Sequence, residues 1–333
     1  MKANKYRRIF ILGSGFSKSV SQSMPTLKEL TQELLLINDK RNYYELSNFI
    51  HRLLELSQGN EEVTTIEKVT SIILSKGLFY NTEERIFYNT LKHQLLRWIF
   101  ERIEADSPQV DEDKREGLIR FFEKCSLREQ QRKREDLSLV LSFNYDLLLE
   151  RLLTGAPAGR WIFDYMISLN RYLDPPGMKA ARDSRVFEYL KLHGSLNWFT
   201  APGADRNDLS NVYLVEENDP SRYLIHNKDI PVYIPMAFAK TEFFVGSLYN
   251  VLWNIGRRCL EETDEIIFIG YGFPQTDIDN LYFFLNFKSK ISDIVVMERS
   301  NSSKLDRLRE LFPDSRIINQ DAYEYILENH LQN

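Results

Sequence analysis

Apolar and polar positions along this chain fall into blocks that switch between two periods, one of unbroken apolar runs and one of helical spacing. Ile9-Phe10-Ile11-Leu12 runs straight into Gly13-Ser14-Gly15. An unbroken run of this kind marks a strand buried on both faces, as in a parallel sheet. Comparable strands are expected at Leu139-Val140-Leu141, from Val186 to Leu192, over Glu265–Ile269 and over Asp293–Met297. Between the first and second of these the pattern is helical. Thr26 and Glu29 form a capping box ahead of Leu27, Leu30 and Leu34. Thr64 and Glu67 form a second one ahead of Val69, Ile72 and Ile73. Leu46, Phe49, Ile50, Leu53 and Leu54 give one further helical face, and Leu118, Phe121 and Phe122 another. Ile86, Leu91, Leu95, Ile99 and Ile103 predict a long helix.

Beyond the second strand, Leu147, Leu148, Leu149, Leu152 and Leu153 predict an apolar helix that closes near Gly155. Residues 154–183 carry Gly155, Pro157, Gly159, Pro175, Pro176 and Gly177 and read as an irregular connection. Short strands are expected at Val212–Leu214 and Val232–Ile234, and a long helix through Phe244, Leu248, Leu252, Ile255 and Cys259. Thr276 or Asp277 is placed to cap a helix carrying Ile278, Leu281, Phe284 and Leu285. A charged helix around Leu305, Leu308 and Leu311, the short Arg316-Ile317-Ile318 and a last helix through Tyr323 and Ile326 complete the chain. Strands alternating with helices predict an α/β fold, a Rossmann-like mostly parallel sheet with helices on both faces. A helical insertion follows the first βα unit. The expected organisation is therefore a sheet domain of residues 1–35 and 136–333, with a helical module at 36–135.

Composition adds few constraints. Hydrophobic content of 43% and charged content of 27% are those of an ordinary soluble protein. A net charge of −5 argues against nucleic acid as a direct ligand. Two distant cysteines, Cys125 and Cys259, supply neither a disulfide framework nor a zinc module, so no metal is expected. With no secretory leader and no run long enough to span a bilayer, a cytoplasmic protein without membrane contact is expected. The mixed run Arg128–Asp136 reads as a solvated helix end or loop.

In an open parallel sheet, ligands gather at the carboxyl ends of the strands. Those ends read Gly13-Ser14-Gly15, then Ser142-Phe143-Asn144-Tyr145-Asp146, His193-Gly194, Gly270-Tyr271-Gly272 and Glu298. The glycine turn ahead of a helical pattern suits a phosphate-type ligand. The third glycine and the ribose-reading acid of a dehydrogenase are missing, and Lys18 stands where that glycine belongs. His193 is the one histidine of the five at a strand end, where a pKa near 6.5 allows general-base work. His51, His93, His226 and His330 are read as non-catalytic. Asn144 and Asp146 read equally well as caps of the Leu147 helix and as polar groups at a crevice mouth.

Taken together, Gly13-Ser14-Gly15-Phe16-Ser17, Ser142–Asp146, Lys191–Trp198 and Gly270–Pro274 resemble the motif set of sirtuin-like (SIR2-like) domains. The resemblance is to the bacterial subgroup of anti-phage defence systems and covers the chain outside the helical insertion. It implies binding of NAD as a substrate and cleavage of its nicotinamide–ribose bond, with Asn144 and His193 as the catalytic pair. It further implies that Gly13, Ser14, Gly15, Phe16 and Ser17 cradle the pyrophosphate and that Asp146 arranges the nicotinamide side. Gly270, Tyr271 and Gly272 would line the ribose side, and Glu298 would reach the adenosine end. Without a zinc module, water is the expected acceptor rather than an acetylated peptide, giving an NAD hydrolase that acts in abortive infection. The alternatives are a nucleotide sensor that does not hydrolyse NAD and a protein deacetylase. Related systems form homo-oligomers or pair with a regulatory protein such as a HerA-like ATPase, so an oligomer or such a partner is expected.

Overall fold

A computed structural model describes residues 6–39, 41–58, 64–75, 82–104, 108–128, 138–156, 161–172, 185–215, 229–238, 240–298 and 302–331. Its main sheet takes β1 (Arg8–Leu12), β3 (Ser138–Ser142), β6 (Arg185–Lys191), β10 (Glu265–Ile269), β11 (Ile291–Val296) and β12 (Arg316–Asn319). They lie in the order β12-β11-β10-β1-β3-β6, every neighbouring pair parallel. Numbered along the chain, that is the doubly wound order 3-2-1-4-5-6. Two short strands extend the sheet along the first half of β6: β2 (Leu127–Arg128) antiparallel and β4 (Trp161–Asp164) parallel. The continuous apolar runs are explained by burial, since Ile9, Phe10, Ile11 and Leu12 all lie in the core.

Helices cover both faces, and register shows it. The Phe10 ring meets Phe121 of α6 (Glu112–Lys124) edge-on. Ile11 points the opposite way and pairs with Leu141, which pairs with Leu190. On that second face Leu141 and Leu190 lie against Gly256 of α8 (Ser247–Glu262). The capping box predicted from Thr26 and Glu29 starts α2 (Leu27–Leu35), with both reciprocal hydrogen bonds formed. Between β1 and β3 also come α1 (Ser14–Val20), α3 (Tyr44–Leu56), α4 (Ile66–Ser75) and α5 (Thr82–Glu104). The helix α5 packs on α3 and α4.

The helix α5 also packs on a second sheet, ordered β5-β8-β7-β9, of which only parts were legible in the pattern. Its members are β5 (Asn170–Tyr172), β7 (Gly194–Thr200), β8 (Tyr213–Val215) and β9 (Ile230–Tyr233). The chain passes from β6 into β7 through Leu192-His193 alone. Gly194 makes that possible at φ +79, and a Cβ there would lie 2.4 Å from the Val232 carbonyl oxygen. Tyr233 ties this sheet to α5 by donating to the Leu96 carbonyl at 2.6 Å.

Three further expectations change. The segment 154–183, read as irregular, contains β4 and β5, while Pro157, Gly159, Pro175, Pro176 and Gly177 lie outside the described residues. Ile86 is 63% exposed and takes no part in the buried face of α5. Asp277 stands at the N-cap of α9 (Ile278–Leu285) without capping it, because its side chain points elsewhere. Of the mixed charge run, Arg128 ends β2 and the rest lies outside the described residues, as does His226. Among the described residues no helix is long and apolar enough to cross a membrane.

Candidate active site

Strand order sets five chain turns side by side: Glu298 after β11, Gly270–Gly272 after β10, Gly13–Ser17 after β1, Asn144–Asp146 after β3 and His193 after β6. The order reverses between β1 and β10, the switch point where open sheets leave a crevice. There the two turns are in backbone contact. Gly13 N–H donates to the Ile269 carbonyl at 3.0 Å and Gly15 N–H to the Gly270 carbonyl at 2.9 Å. A Cβ on Gly13 would lie 2.6 Å from Tyr271 Cβ. Glycine is thus required so that one turn can touch the other. Ser14 and Gly15 stay exposed and form the part of the turn an incoming group meets. Phe16 turns its buried ring inward against Phe122, so only its backbone belongs to the turn.

The Asn144 amide reaches across from β3. Its Nδ2 donates to the Gly13 carbonyl and to Ser17 Oγ, both at 2.8 Å. Ser17 Oγ in turn donates to Asp146 Oδ2 at 2.7 Å. Asp146 Oδ1 accepts from Leu148 N–H at 3.1 Å, so the cap of α7 (Leu148–Thr154) comes from Asp146 and not from Asn144. With both Asn144 N–H groups committed, its carbonyl oxygen is the atom it can offer a ligand. Below this loop Lys191, fully buried, donates to the Asp146 carbonyl at 2.6 Å and pairs with Glu150 at 2.9 Å.

His193 is 5% exposed, its ring edge-on to Phe143, which stacks on Tyr271 at 4.4 Å. Burial, reinforced by the Lys240 ammonium and opposed by Asp277, pushes its pKa down to about 3. The ring is therefore neutral at physiological pH and, as a base, weaker than the value near 6.5 expected from the sequence would make it. Its Nε2 lies 3.4 Å from Asn280 Nδ2, which is 2.9 Å from the Tyr271 hydroxyl. That hydroxyl donates to Asp277 Oδ2 at 2.8 Å, and Asp277 Oδ1 accepts from Lys240. Burial, the largest influence on Asp277, pushes its pKa up. Lys240, His193 and the hydrogen bonds outweigh it and hold the carboxyl below the ordinary range. At the far end of the row Lys304 joins Glu298 to the neighbourhood of Gly272, where a Cβ would lie 2.3 Å from Lys304 Cε.

Lys240 and Asn280 were not singled out in the sequence, and Asp277 was read only as a cap. The available signal was polarity inside apolar surroundings, since Asn280 is almost wholly buried in a helix whose other residues, Asp279 apart, are Ile, Leu, Tyr and Phe. Among the described residues no group of three His, Cys, Asp or Glu is placed to hold a metal ion.

These features define a Rossmann-like α/β domain whose polar strand ends meet at the switch point of its sheet. The chain belongs to the SIR2-like domain family, whose model matches residues 138–317. No curated protein matches the chain. Among solved structures, a Sir2 homologue in complex with NAD is 14% identical, with 97% of this chain and 87% of that chain covered and a TM-score of 0.47. Sir2 bound to an acetylated peptide is 12% identical, with 98% and 94% covered and a TM-score of 0.39.

Proposed function

We propose that this chain binds NAD across the row of strand ends and hydrolyses its nicotinamide–ribose bond, releasing nicotinamide and ADP-ribose. The observation that carries this reading is the placement of Asn144 and His193. Each lies two residues beyond the paired positions Ser142 and Lys191, on neighbouring strands, with Asn144 hydrogen-bonded to the glycine turn. Membership of the SIR2-like family supports the choice of NAD. The exposed Ser14-Gly15 turn suits the pyrophosphate, and Glu298 stands at the opposite end of the row from His193.

Nicotinamide leaves from a cationic ring, so bond breaking develops an oxocarbenium-like ribose. The site's task is to orient that ribose and to stabilise its charge. Asn144 offers its carbonyl oxygen to a ribose hydroxyl or to the attacking water, and the Ser17–Asp146 pair holds the amide in place. His193, neutral at working pH, presents a lone pair to the same hydroxyl or water and takes its proton as charge develops. By its resemblance to defence proteins, this activity would deplete NAD during infection and be restrained by assembly or by a partner.

Purified protein is mixed with NAD, alone and with the products of neighbouring genes, and nicotinamide release is followed. Asn144→Ala and His193→Ala should each lose about 10²-fold or more of the activity while keeping the wild-type circular dichroism spectrum. Near-wild-type cleavage by either variant removes the assignment.

A further inference from the structure

The buried chain Lys240–Asp277–Tyr271–Asn280–His193 joins three separate stretches of sequence and ends on the ring nitrogen of the candidate base. Its direction can be read from donor and acceptor capacity. Lys240 has only donors and Asp277, ionised, only acceptors. The Tyr271 hydroxyl must therefore spend its one proton on Asp277 Oδ2, at 2.8 Å. Its oxygen is left as an acceptor, which orients the Asn280 amide with its NH₂ toward Tyr271, at 2.9 Å. The same NH₂ faces His193 Nε2 at 3.4 Å, so that nitrogen meets a donor and must present a lone pair.

We propose that Asp277 is a positioning residue for His193, acting through Tyr271 and Asn280 to hold the imidazole as its Nδ1–H tautomer with Nε2 free to accept a proton. This rests on the function proposed above for the significance of that lone pair. The placement of the proton itself rests on the hydrogen bonds alone. Lys240 and Asp277 are the charged groups that face the ring; burial and Lys240 outweigh Asp277 and leave it neutral, so the tautomer is the variable that matters. The 3.4 Å contact is long enough for an incoming hydroxyl to displace it, after which Nε2 takes the hydroxyl's proton. Were the Asn280 amide turned over, its oxygen would face the ring and draw the proton to Nε2. His193 would then be a donor where the reaction needs a base. Asp277 prevents this turn, because Tyr271 has no second proton to give the amide oxygen.

The test is a long-range ¹H–¹⁵N correlation spectrum of the full chain labelled at histidine, with His193 assigned by the signal lost in His193→Gln. The wild type should show the Nδ1–H tautomer. Asp277→Asn releases the Tyr271 proton and should move His193 toward Nε2–H. Nicotinamide release should then fall in kcat by about 10²-fold, with KM for NAD little changed. Tyr271→Phe cuts the chain while leaving the Lys240–Asp277 pair intact, and should shift the tautomer the same way. It decides the matter if Asp277→Asn fails to fold. An Nε2–H tautomer in the wild type, or unchanged spectra in folded Tyr271→Phe, overturns the proposal. If the tautomer shifts as stated but no form of the protein cleaves NAD, the hydrogen-bond chain stands and the proposed function falls.

Discussion

Gly270→Ala tests whether the row of strand ends is held together by the contact of two turns. Gly270 sits at φ +71, where an L-residue costs about 1–2 kcal/mol. An added Cβ would lie 2.0 Å from Phe16 N, 2.6 Å from Gly15 C and 2.9 Å from Phe16 Cα. These are backbone atoms, so no rotamer change relieves the overlap and the Gly13–Ser17 turn must move away. Moving it strains or breaks the bond from Gly15 N–H to the Gly270 carbonyl, at 2.9 Å, which contributes about 1 kcal/mol. The sum is about 2–3 kcal/mol before any loss of packing, a large part of a typical stability of about 5–15 kcal/mol. The control is Gly203→Ala. Gly203 has φ +83 but nothing within 4 Å of its Cβ position, so only the conformational cost of about 1–2 kcal/mol applies. Urea unfolding followed by circular dichroism should give a clearly larger fall in midpoint for Gly270→Ala than for Gly203→Ala. Equal falls would show that the turns are not clamped to each other as described.

Acid should destabilise the fold in a window that the histidines define. His193, pushed down to about 3, and His330, pushed down to about 4, both chiefly by burial, bind fewer protons when folded than when unfolded. The stability they contribute is therefore present above about pH 6.5 and is lost as pH drops toward 4 for His330 and toward 3 for His193, by about 2 kcal/mol at pH 5 for His193. His330→Phe, which keeps the aromatic packing on Phe10, Phe121 and Tyr325, should shrink the difference between urea midpoints at pH 7.5 and pH 5. An undiminished difference would remove His330 from the account. Lys191→Met strands Glu150 in the interior and should cost about 3–5 kcal/mol. Adding Glu150→Gln should recover part of that loss, and a double-mutant cycle with no coupling would contradict the pairing.

What was legible in the sequence has a physical pattern. A strand buried on both faces reads as an unbroken apolar run, and its end is where the run breaks into polar or glycine residues. Gly13, Asn144, His193, Gly270 and Glu298 could thus be picked out before their neighbours in space were known. The second sheet was less visible because β7 is buried throughout and so shows no alternation, while β5 and β8 are only three residues long each. The polar network was hidden for a different reason. Periodicity reports which face of an element is buried. A buried hydrogen bond depends on a partner that local pattern does not name, as with Lys240 and Asp277, 37 positions apart, or Asn280 and His193, 87 apart. Asp277 shows how such a residue is misread. An aspartate just before a helix is locally a good cap, and the buried ammonium of Lys240 and the Tyr271 hydroxyl explain why its carboxylate turns away from the helix N-terminus. The same reasoning separates Asn144 from Asp146. Both could cap α7, and what decides between them is Ser17, a residue of another helix that accepts from the amide and donates to the carboxylate. The residues that could act on a ligand lie where pattern breaks, and those that orient them are polar residues within apolar stretches, recognisable only once the fold supplies their partners.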